Sequence, residues 1–163
     1  MPRPDYRIDS FRIGPMDNFG YLLIDEASGR AATVDPAWDA AVITARAEAL
    51  GVRIDTVLLT HTHHDHVSAI DAFMAHPVHL AAAEAPAWPD TPAHATLHED
   101  GDVLSLGQTR VTWRVTPGHS PGSSRGRAHV DDHRPAAQRP PQATRQPRAL
   151  HASLGFRAQV GSP

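Results

Sequence analysis

The sequence predicts a mixed α/β domain built from packed layers of helix and sheet. Three observations predict this fold: short apolar runs closed by turn residues, one helical pattern of apolar positions, and an alternating hairpin. Along the chain their order is three strands, helix, strand, helix, strand and hairpin. At 163 residues the chain has the length of one domain.

The first half of this pattern contains three strands and a helix. Short apolar runs closed by turns predict the strands over 6–13, 20–25 and 31–34. A helix should begin at Asp35-Pro36, with Asp35 as a plausible N-cap, and should end at Gly51. Its buried stripe is expected to contain residues spaced by three or four positions, namely Trp38, Val42, Ala45 and Ala49.

The second half alternates in the same way. Its expected elements are a buried strand over 56–59, a helix over 67–74, a strand over 78–81 and a hairpin over 102–116. The proline-rich residues 84–96 are expected to form an irregular surface loop.

Composition excludes several classes of protein. The chain has no cysteine, so disulfide frameworks and cysteine-based metal or redox sites are excluded. The charged N-terminus lacks the apolar segment of a secretory signal, and no stretch approaches the ~18 apolar residues that a membrane helix needs. We therefore expect a cytoplasmic protein with no membrane partner.

Charge divides the chain into two segments. Residues 1–124 contain 8 Arg and 16 acidic residues, whereas 125–163 contain 7 Arg and 2 acidic residues. We expect 1–124 to form the domain and 125–163 to be disordered, because that tail has too few large apolar residues to bury. A second interpretation is translation out of frame after Ser124. A functional basic tail is the third, but with Phe156 as its one aromatic residue we predict no nucleic-acid partner.

The residues that carry chemistry follow the predicted fourth strand and read Thr60-His61-Thr62-His63-His64-Asp65-His66. Alternate side chains of an extended segment point the same way, so His61 and His63 can converge on one ion at about 2.1 Å. Asp65 and His66 then face a neighbouring point, and a carboxylate with an imidazole suits Zn, Fe or Mn. Two such ligand pairs are typical of a two-metal hydrolytic centre. His64 is expected to face solvent.

A second motif follows the hairpin and reads Thr116-Pro117-Gly118-His119-Ser120-Pro121-Gly122-Ser123. Its Pro and Gly residues shape a tight loop that could hold His119 inward as the third imidazole of the first ion. The alternatives are a chance cluster or a solvated loop, and a histidine in such a turn is usually a surface residue. The ordered spacing favours the metal interpretation, and we also predict a catalytic role for Asp65.

These motifs resemble those of the metallo-β-lactamase superfamily, because THTHHDH matches H-x-H-x-D-H and TPGHSPGS matches P-G-H-[ST]-P-G. The opening MDNFGYLLID with the later ATVDP is similar to the glyoxalase II-like branch. The resemblance covers about residues 6–124 and implies an αββα sandwich with a di-metal site at its edge. It implies that the first ion is bound by His61, His63 and His119, and the second by Asp65 and His66. For Asp35 the resemblance implies at most a role in supporting the metal ligands. Capping of the following helix is the preferred interpretation.

The resemblance also implies an activity. The leading function is hydrolysis of a small thioester or ester by metal-activated hydroxide attacking a carbonyl, as in a hydroxyacylglutathione hydrolase. A lactonase, a sulfur dioxygenase relative and a catalytically impaired metal-binding remnant are the alternatives.

The chain departs from the family after the P-G-H loop. Members continue with two strands, a G-D-x-x-F stretch whose Asp bridges both metals, and a later His, none of which is recognisable here. The candidates in the tail do not fit these roles by position: His129, Asp131, Asp132, His133 and His151. We therefore expect an incomplete second half, one firmly bound zinc where intact relatives hold two, and poor or absent activity. An uncovered apolar face at Leu58, Val111, Trp113 and Val115 would then favour self-association.

Overall fold

The computed structural model describes residues 6–15 and 18–130. In this part of the chain, nine strands form two sheets. The first sheet has the order β1-β2-β3-β4-β5-β6, and its strands are Tyr6–Arg12, Phe19–Asp25, Arg30–Val34, Arg53–Leu58, Val78–Ala81 and Thr96–His98. The second sheet has the order β7-β8-β9, and its strands are Val103–Leu106, Thr109–Val115 and Ser124–Val130.

The strand directions in the first sheet place several loops at one edge. Strands β1, β2 and β3 are antiparallel, whereas β3, β4, β5 and β6 run parallel to one another. The carboxyl ends of parallel strands meet at the same edge, where ligands of open α/β sheets commonly bind. Asp35, His61 and Glu84 follow β3, β4 and β5, so this topology brings their segments to that edge.

Helix α1 (Ala40–Leu50) differs from its prediction in both its start and its buried face. Its N-cap is Asp39, whose carboxylate accepts from Ala41 N, and its C-cap is Gly51 at φ 68°. The buried residues are Ile43 and Ala47, whereas the predicted Trp38 and Val42 are 37% and 39% exposed. Alanine occupies so many positions of this helix that apolar spacing alone does not select one face.

The predicted helix over 67–74 is two separate turns. A one-turn helix, α2, covers His64–Val67, and a 3-10 turn covers Ile70–Phe73. The Ala69 amide between them donates to Pro36 O at 3.1 Å, so it makes no intrahelical bond. The predicted surface loop over 84–96 is also partly wrong, because Glu84 and Trp88 are buried.

The second sheet corrects the prediction for the tail. Strand β9 pairs with β8 along its full length, with Trp113 opposite Gly126 and Val111 opposite Ala128. Residues 125–130 are therefore part of a sheet and are not disordered, because β8 supplies a ready antiparallel partner. Residues 131–163 lie outside the described residues.

Two apolar layers pack the sandwich, and the alternation of side chains along β2 divides them. Leu22 and Ile24 face the layer beneath α1, whereas Leu23 faces the layer between the sheets. The face predicted to be uncovered lies within that second layer. Its residues Leu58, Val111 and Trp113 are buried, and Val115 packs against them. The two sheets pack these side chains against each other, which removes the predicted reason for self-association.

The layers observed confirm the predicted α/β sandwich. Helix, first sheet and second sheet are stacked in that order within 6–15 and 18–130. Within these residues, no helix has the length and apolarity of a membrane span.

Candidate metal centre

The two histidine motifs emerge side by side at one edge of the sandwich. The first follows β4 and the second connects β8 to β9. Ser124 N, at the start of β9, donates to Thr60 O at 2.8 Å. This bond joins the segment just before His61 to the strand just after the His119 loop, so the two sheets meet at the site.

Three imidazoles converge at this edge. The ligating nitrogens of His61, His63 and His119 all lie within 4.8 Å of one another. Their ring centroids are 4.6 to 4.8 Å apart. His61 is 2% exposed, whereas the other two rings are exposed, so the cluster is open to solvent on one side. The structure thus brings together the three imidazoles that the motif spacing placed around one ion.

Hydrogen bonds determine which nitrogen of His61 is protonated. The Thr60 hydroxyl donates to Asp35 Oδ2 at 2.5 Å and therefore has no second proton to give. It lies 3.0 Å from His61 Nδ1, so Nδ1 must carry the proton and donate to it. His61 Nε2 then has a bare lone pair, and this nitrogen is buried without a hydrogen-bond partner.

Asp35 holds His66 in a similar way. Its Oδ2 lies 3.1 Å from His66 Nδ1, which leaves His66 Nε2 as the free nitrogen. Asp35 Oδ1 accepts from Thr60 N at 2.7 Å, and the backbone of Asp35 has a φ of 47°. The prediction that Asp35 caps helix α1 is therefore wrong, because Asp39 does so. Asp35 instead orients two imidazoles, one directly and one through Thr60.

Asp65 lies beside this group but is more peripheral. Its Oδ2 is 3.6 Å from His66 Nε2, and its side chain is 56% exposed. The second set of ligating atoms that lie within 4.8 Å of one another consists of Asp35, His61 and His66, and does not include Asp65. Asp65 and His66, the predicted ligands of the second ion, are therefore neighbours. The ring centroid of His61 lies 4.0 Å from that of His66.

Burial and charge act differently on the two inner imidazoles. Burial, with the neighbouring His66 ring, lowers the pKa of His61 to about 4. Burial also acts to lower the pKa of His66, but the hydrogen bond and charge of Asp35 outweigh it and raise that pKa. His61 is consequently neutral at pH 7, the form in which an imidazole binds a metal.

Glu84, which follows β5 and is 1% exposed, is a site residue that the sequence patterns did not indicate. Its carboxylate accepts four hydrogen bonds, two from Thr62 and one each from Ser120 and Gly122. It therefore contacts both histidine motifs. The available signal was one acidic residue in an otherwise apolar run, Ala81-Ala82-Ala83-Glu84-Ala85-Pro86.

Two further histidines, His64 and His129, are not part of the cluster. His64 is exposed, as predicted. His129 lies in β9 and belongs to neither group of ligating atoms found among the described residues. The remaining candidates, Asp131, Asp132, His133 and His151, lie outside the described residues.

Comparisons with curated proteins give two informative relatives. A hydroxyacylglutathione hydrolase from Fuscovulum blasticum is 40% identical over 124 residues, which are 74% of this chain and 45% of that protein. A probable polyketide biosynthesis zinc-dependent hydrolase, PksB, from Bacillus subtilis (strain 168) is 32% identical over 109 residues, 64% of this chain and 48% of that protein. The chain spans about half the length of the curated relatives that it matches.

A solved structure supports the fold. The metallo-beta-lactamase from Staphylococcus aureus subsp. aureus COL superposes with a TM-score of 0.66 at 19% identity, covering 77% of this chain and 39% of that one. The family model described as the metallo-beta-lactamase superfamily matches residues 19–133, which is more than half of the chain. With both histidine motifs at the edge of an α/β sandwich, the chain belongs to the metallo-β-lactamase superfamily.

Proposed function

We propose that the chain is a metal-dependent hydrolase that holds one zinc ion through His61, His63 and His119. The observation that carries this proposal is His61 Nε2, a buried nitrogen without a hydrogen-bond partner. It belongs to a ring whose ligating nitrogen lies within 4.8 Å of those of His63 and His119. A buried polar atom left unpaired costs about 1–3 kcal/mol. A cation among the three rings would satisfy it.

The donor set fits zinc. Three imidazole nitrogens are a catalytic zinc set that leaves a fourth position open, and the exposed side of the cluster provides that opening. When bound, the metal would lower the pKa of a water molecule towards neutrality and polarise a substrate carbonyl. Fe or Mn would suit the same edge if Asp65 contributes its carboxylate.

The residues of the chain would act around that centre. Asp35 and Thr60 engage the Nδ1 atoms of His66 and His61, which leaves the Nε2 atom of each ring for a metal. Asp65 and His66 are the candidates for a weaker second ion. We assign to Asp65 Oδ2, on the exposed side, the role of orienting a water molecule and accepting its proton. The solvent-exposed rings of His63 and His119 mark the side from which a substrate would approach.

The substrate class that we propose is a small thioester or ester. It is supported by the 40% identity to a hydroxyacylglutathione hydrolase, of which the chain spans 45%. The second candidate is a metal-binding chain with little activity. The weakness of the second ion site favours this candidate. Asp65 is mostly exposed there, and Asp35 is already engaged by Thr60 and His66.

Metal content and hydrolysis, measured together on the purified chain, test this proposal. We expect about one zinc per chain and zinc-dependent hydrolysis of a lactoylglutathione-type thioester, with a lactone and a glutathione persulfide as comparison substrates. Zinc binding without turnover would favour the second candidate. A chain that binds no zinc would refute both.

Neighbouring histidines provide a matched pair of variants. His63→Ala removes a proposed ligand and should lower zinc affinity by at least about tenfold. His64→Ala changes an exposed histidine that belongs to neither cluster and should leave zinc affinity unchanged. Equal effects of the two substitutions would contradict the assignment of ligands.

A further inference from the structure

Glu84 connects the two loops that carry the three converging imidazoles. It follows β5 and is 1% exposed, yet no imidazole of the cluster is among its hydrogen-bond partners. A buried carboxylate is costly unless its oxygens are fully hydrogen-bonded. Here every bond comes from one of the two loops.

The two carboxylate oxygens divide the loops between them. Glu84 Oε1 accepts from Thr62 N at 2.9 Å and from Thr62 Oγ1 at 3.0 Å, between His61 and His63. Glu84 Oε2 accepts from Ser120 Oγ at 2.8 Å and from Gly122 N at 2.9 Å, directly after His119. One carboxylate therefore accepts hydrogen bonds from two loops that are far apart in the sequence.

Gly122 is an independent sign that this separation is small. A Cβ placed on Gly122 would lie 2.4 Å from the backbone nitrogen of Glu84. No real Cβ approaches another atom so closely, and a backbone atom cannot swing aside as a flexible side chain can. The loop after His119 thus packs directly on the backbone of Glu84.

We propose that Glu84 is a positioning residue, which holds the His119 loop against the His61–His63 segment so that the three imidazoles meet at one point. Without it, the exposed ring of His119 would rest on a loop with fewer constraints. This inference depends on the proposed metal site, since it concerns how that site is assembled.

Glu84→Gln is the sharpest variant because it keeps the size of the side chain. A glutamine has one acceptor oxygen, so its NH₂ group must face the N–H donors of one loop, and that loop is released. Asp25→Asn is the matched control. Asp25 is also fully buried, and it bridges Ser28 and Thr109 at the opposite end of the strands.

The first measurement is hydrogen exchange on the metal-free chain. Glu84→Gln should accelerate exchange in segments 60–64 and 117–123, whereas Asp25→Asn should accelerate it near 28 and 108–109. Unchanged exchange around Thr62 and Gly122 in the Glu84 variant would contradict the proposal that this carboxylate holds the two loops together.

The second measurement is zinc affinity by competition with a chromogenic chelator. We expect Glu84→Gln to lose at least about tenfold, the effect typical of residues that support metal ligands, and Asp25→Asn to bind like the unaltered chain. Gly122→Ala should lose affinity with the carboxylate still present. If Glu84→Gln fails to fold, Ser120→Ala removes one of the four bonds and should give a smaller loss.

The outcomes separate this inference from the proposed function. Zinc binding by the unaltered chain that Glu84→Gln, Gly122→Ala and Ser120→Ala all retain would overturn the positioning role alone. Absence of zinc binding in the unaltered chain would refute the proposed function and the positioning role with it, and the exchange data would still show whether the carboxylate joins the loops.

Discussion

Asp25, Asp35 and Glu84 are largely buried carboxylates, and each accepts hydrogen bonds from residues distant in the sequence. Asp25 ties the β2–β3 turn to the β7–β8 turn, through Ser28 and Thr109. Asp35 ties the end of β3 to Thr60 and His66. Charge-assisted hydrogen bonds of this kind are stronger than neutral ones, and each carboxylate left without donors would carry a large desolvation cost.

Asp35 and the adjacent cap, Asp39, should differ in their effects on stability. Asp35→Ala leaves Thr60 N and the Thr60 hydroxyl without their acceptor, so we expect a loss of roughly 2–3 kcal/mol in the free energy of unfolding. Asp39→Ala removes an exposed N-cap and should cost about 1 kcal/mol. Urea unfolding with a chelator present measures both losses. A larger loss for Asp39→Ala would contradict the role given to Asp35.

A second histidine pair, away from the metal cluster, should make stability depend on pH. His79 Nδ1 lies 2.9 Å from His98 Nε2, and burial together with His98 lowers the pKa of His79 to about 4. Burial also lowers the pKa of His98, against the opposing charge of Asp102. The unfolded chain takes up a proton on His79 near pH 6.5, whereas the folded chain does not. The contribution of His79 to the free energy of unfolding is therefore fully present above pH 6.5 and is lost as the pH falls towards 4.

Urea unfolding at several pH values, in chelator, tests this dependence. The free energy of unfolding should decrease as pH is lowered from 6.5 to 4, and His79→Gln should flatten the decrease. The prediction fails if the two chains show the same slope across that interval.

Among the secondary-structure elements, β9 shows how pairing overrides composition. Its sequence, Ser124-Arg125-Gly126-Arg127-Ala128-His129-Val130, has little apolar character and a glycine in its interior. It forms a strand because β8 offers seven paired positions and because Ala128 enters the layer between the sheets. The exposed Arg125 lies opposite Arg114, on the other face.

Substitutions on the two faces of β9 should therefore differ strongly. Ala128→Glu places a charge at a position that is 0% exposed and should cost at least about 3 kcal/mol. Arg125→Gln, on the exposed face, should change stability by no more than about 0.5 kcal/mol. Thermal unfolding of both variants measures the difference, and similar melting temperatures would argue against the strand.

In the whole molecule, the proposed metal lies where the two sheets meet. The edge is held by the bond from Ser124 N to Thr60 O and by the Glu84 carboxylate. A cation bound by His61, His63 and His119 would join the same two segments. Metal binding should consequently stabilise the complete sandwich and not only the loops.

Zinc should therefore raise the stability of the unaltered chain. A ligand that binds only the folded state at 100 times its dissociation constant adds about 2.7 kcal/mol. We expect a higher melting temperature with zinc, its reversal by chelator, and a much smaller effect in His119→Ala. A melting temperature that does not respond to zinc would count against the site.

Several elements and the core of the site were predictable from sequence because they depend on local order. Strands β1 to β5 and the β7–β8 hairpin lie where apolar runs and turn residues predict them. His61, His63 and His119 could be grouped because both motifs directly follow strands, and the ends of strands bring them to one edge. The buried face of α1 could not be predicted, since its alanines fit more than one helical stripe.

Contacts between distant segments account for the rest. No local pattern shows that Asp35 holds His66, that Glu84 joins two loops, or that residues 125–130 pair with β8. The spacing of ligands and turns is a property of the local sequence, so the sequence alone predicts the motifs and the α/β class. Hydrogen-bond partners of buried carboxylates and the pairing of weak strands are set by burial, which arises only when the sheets pack together.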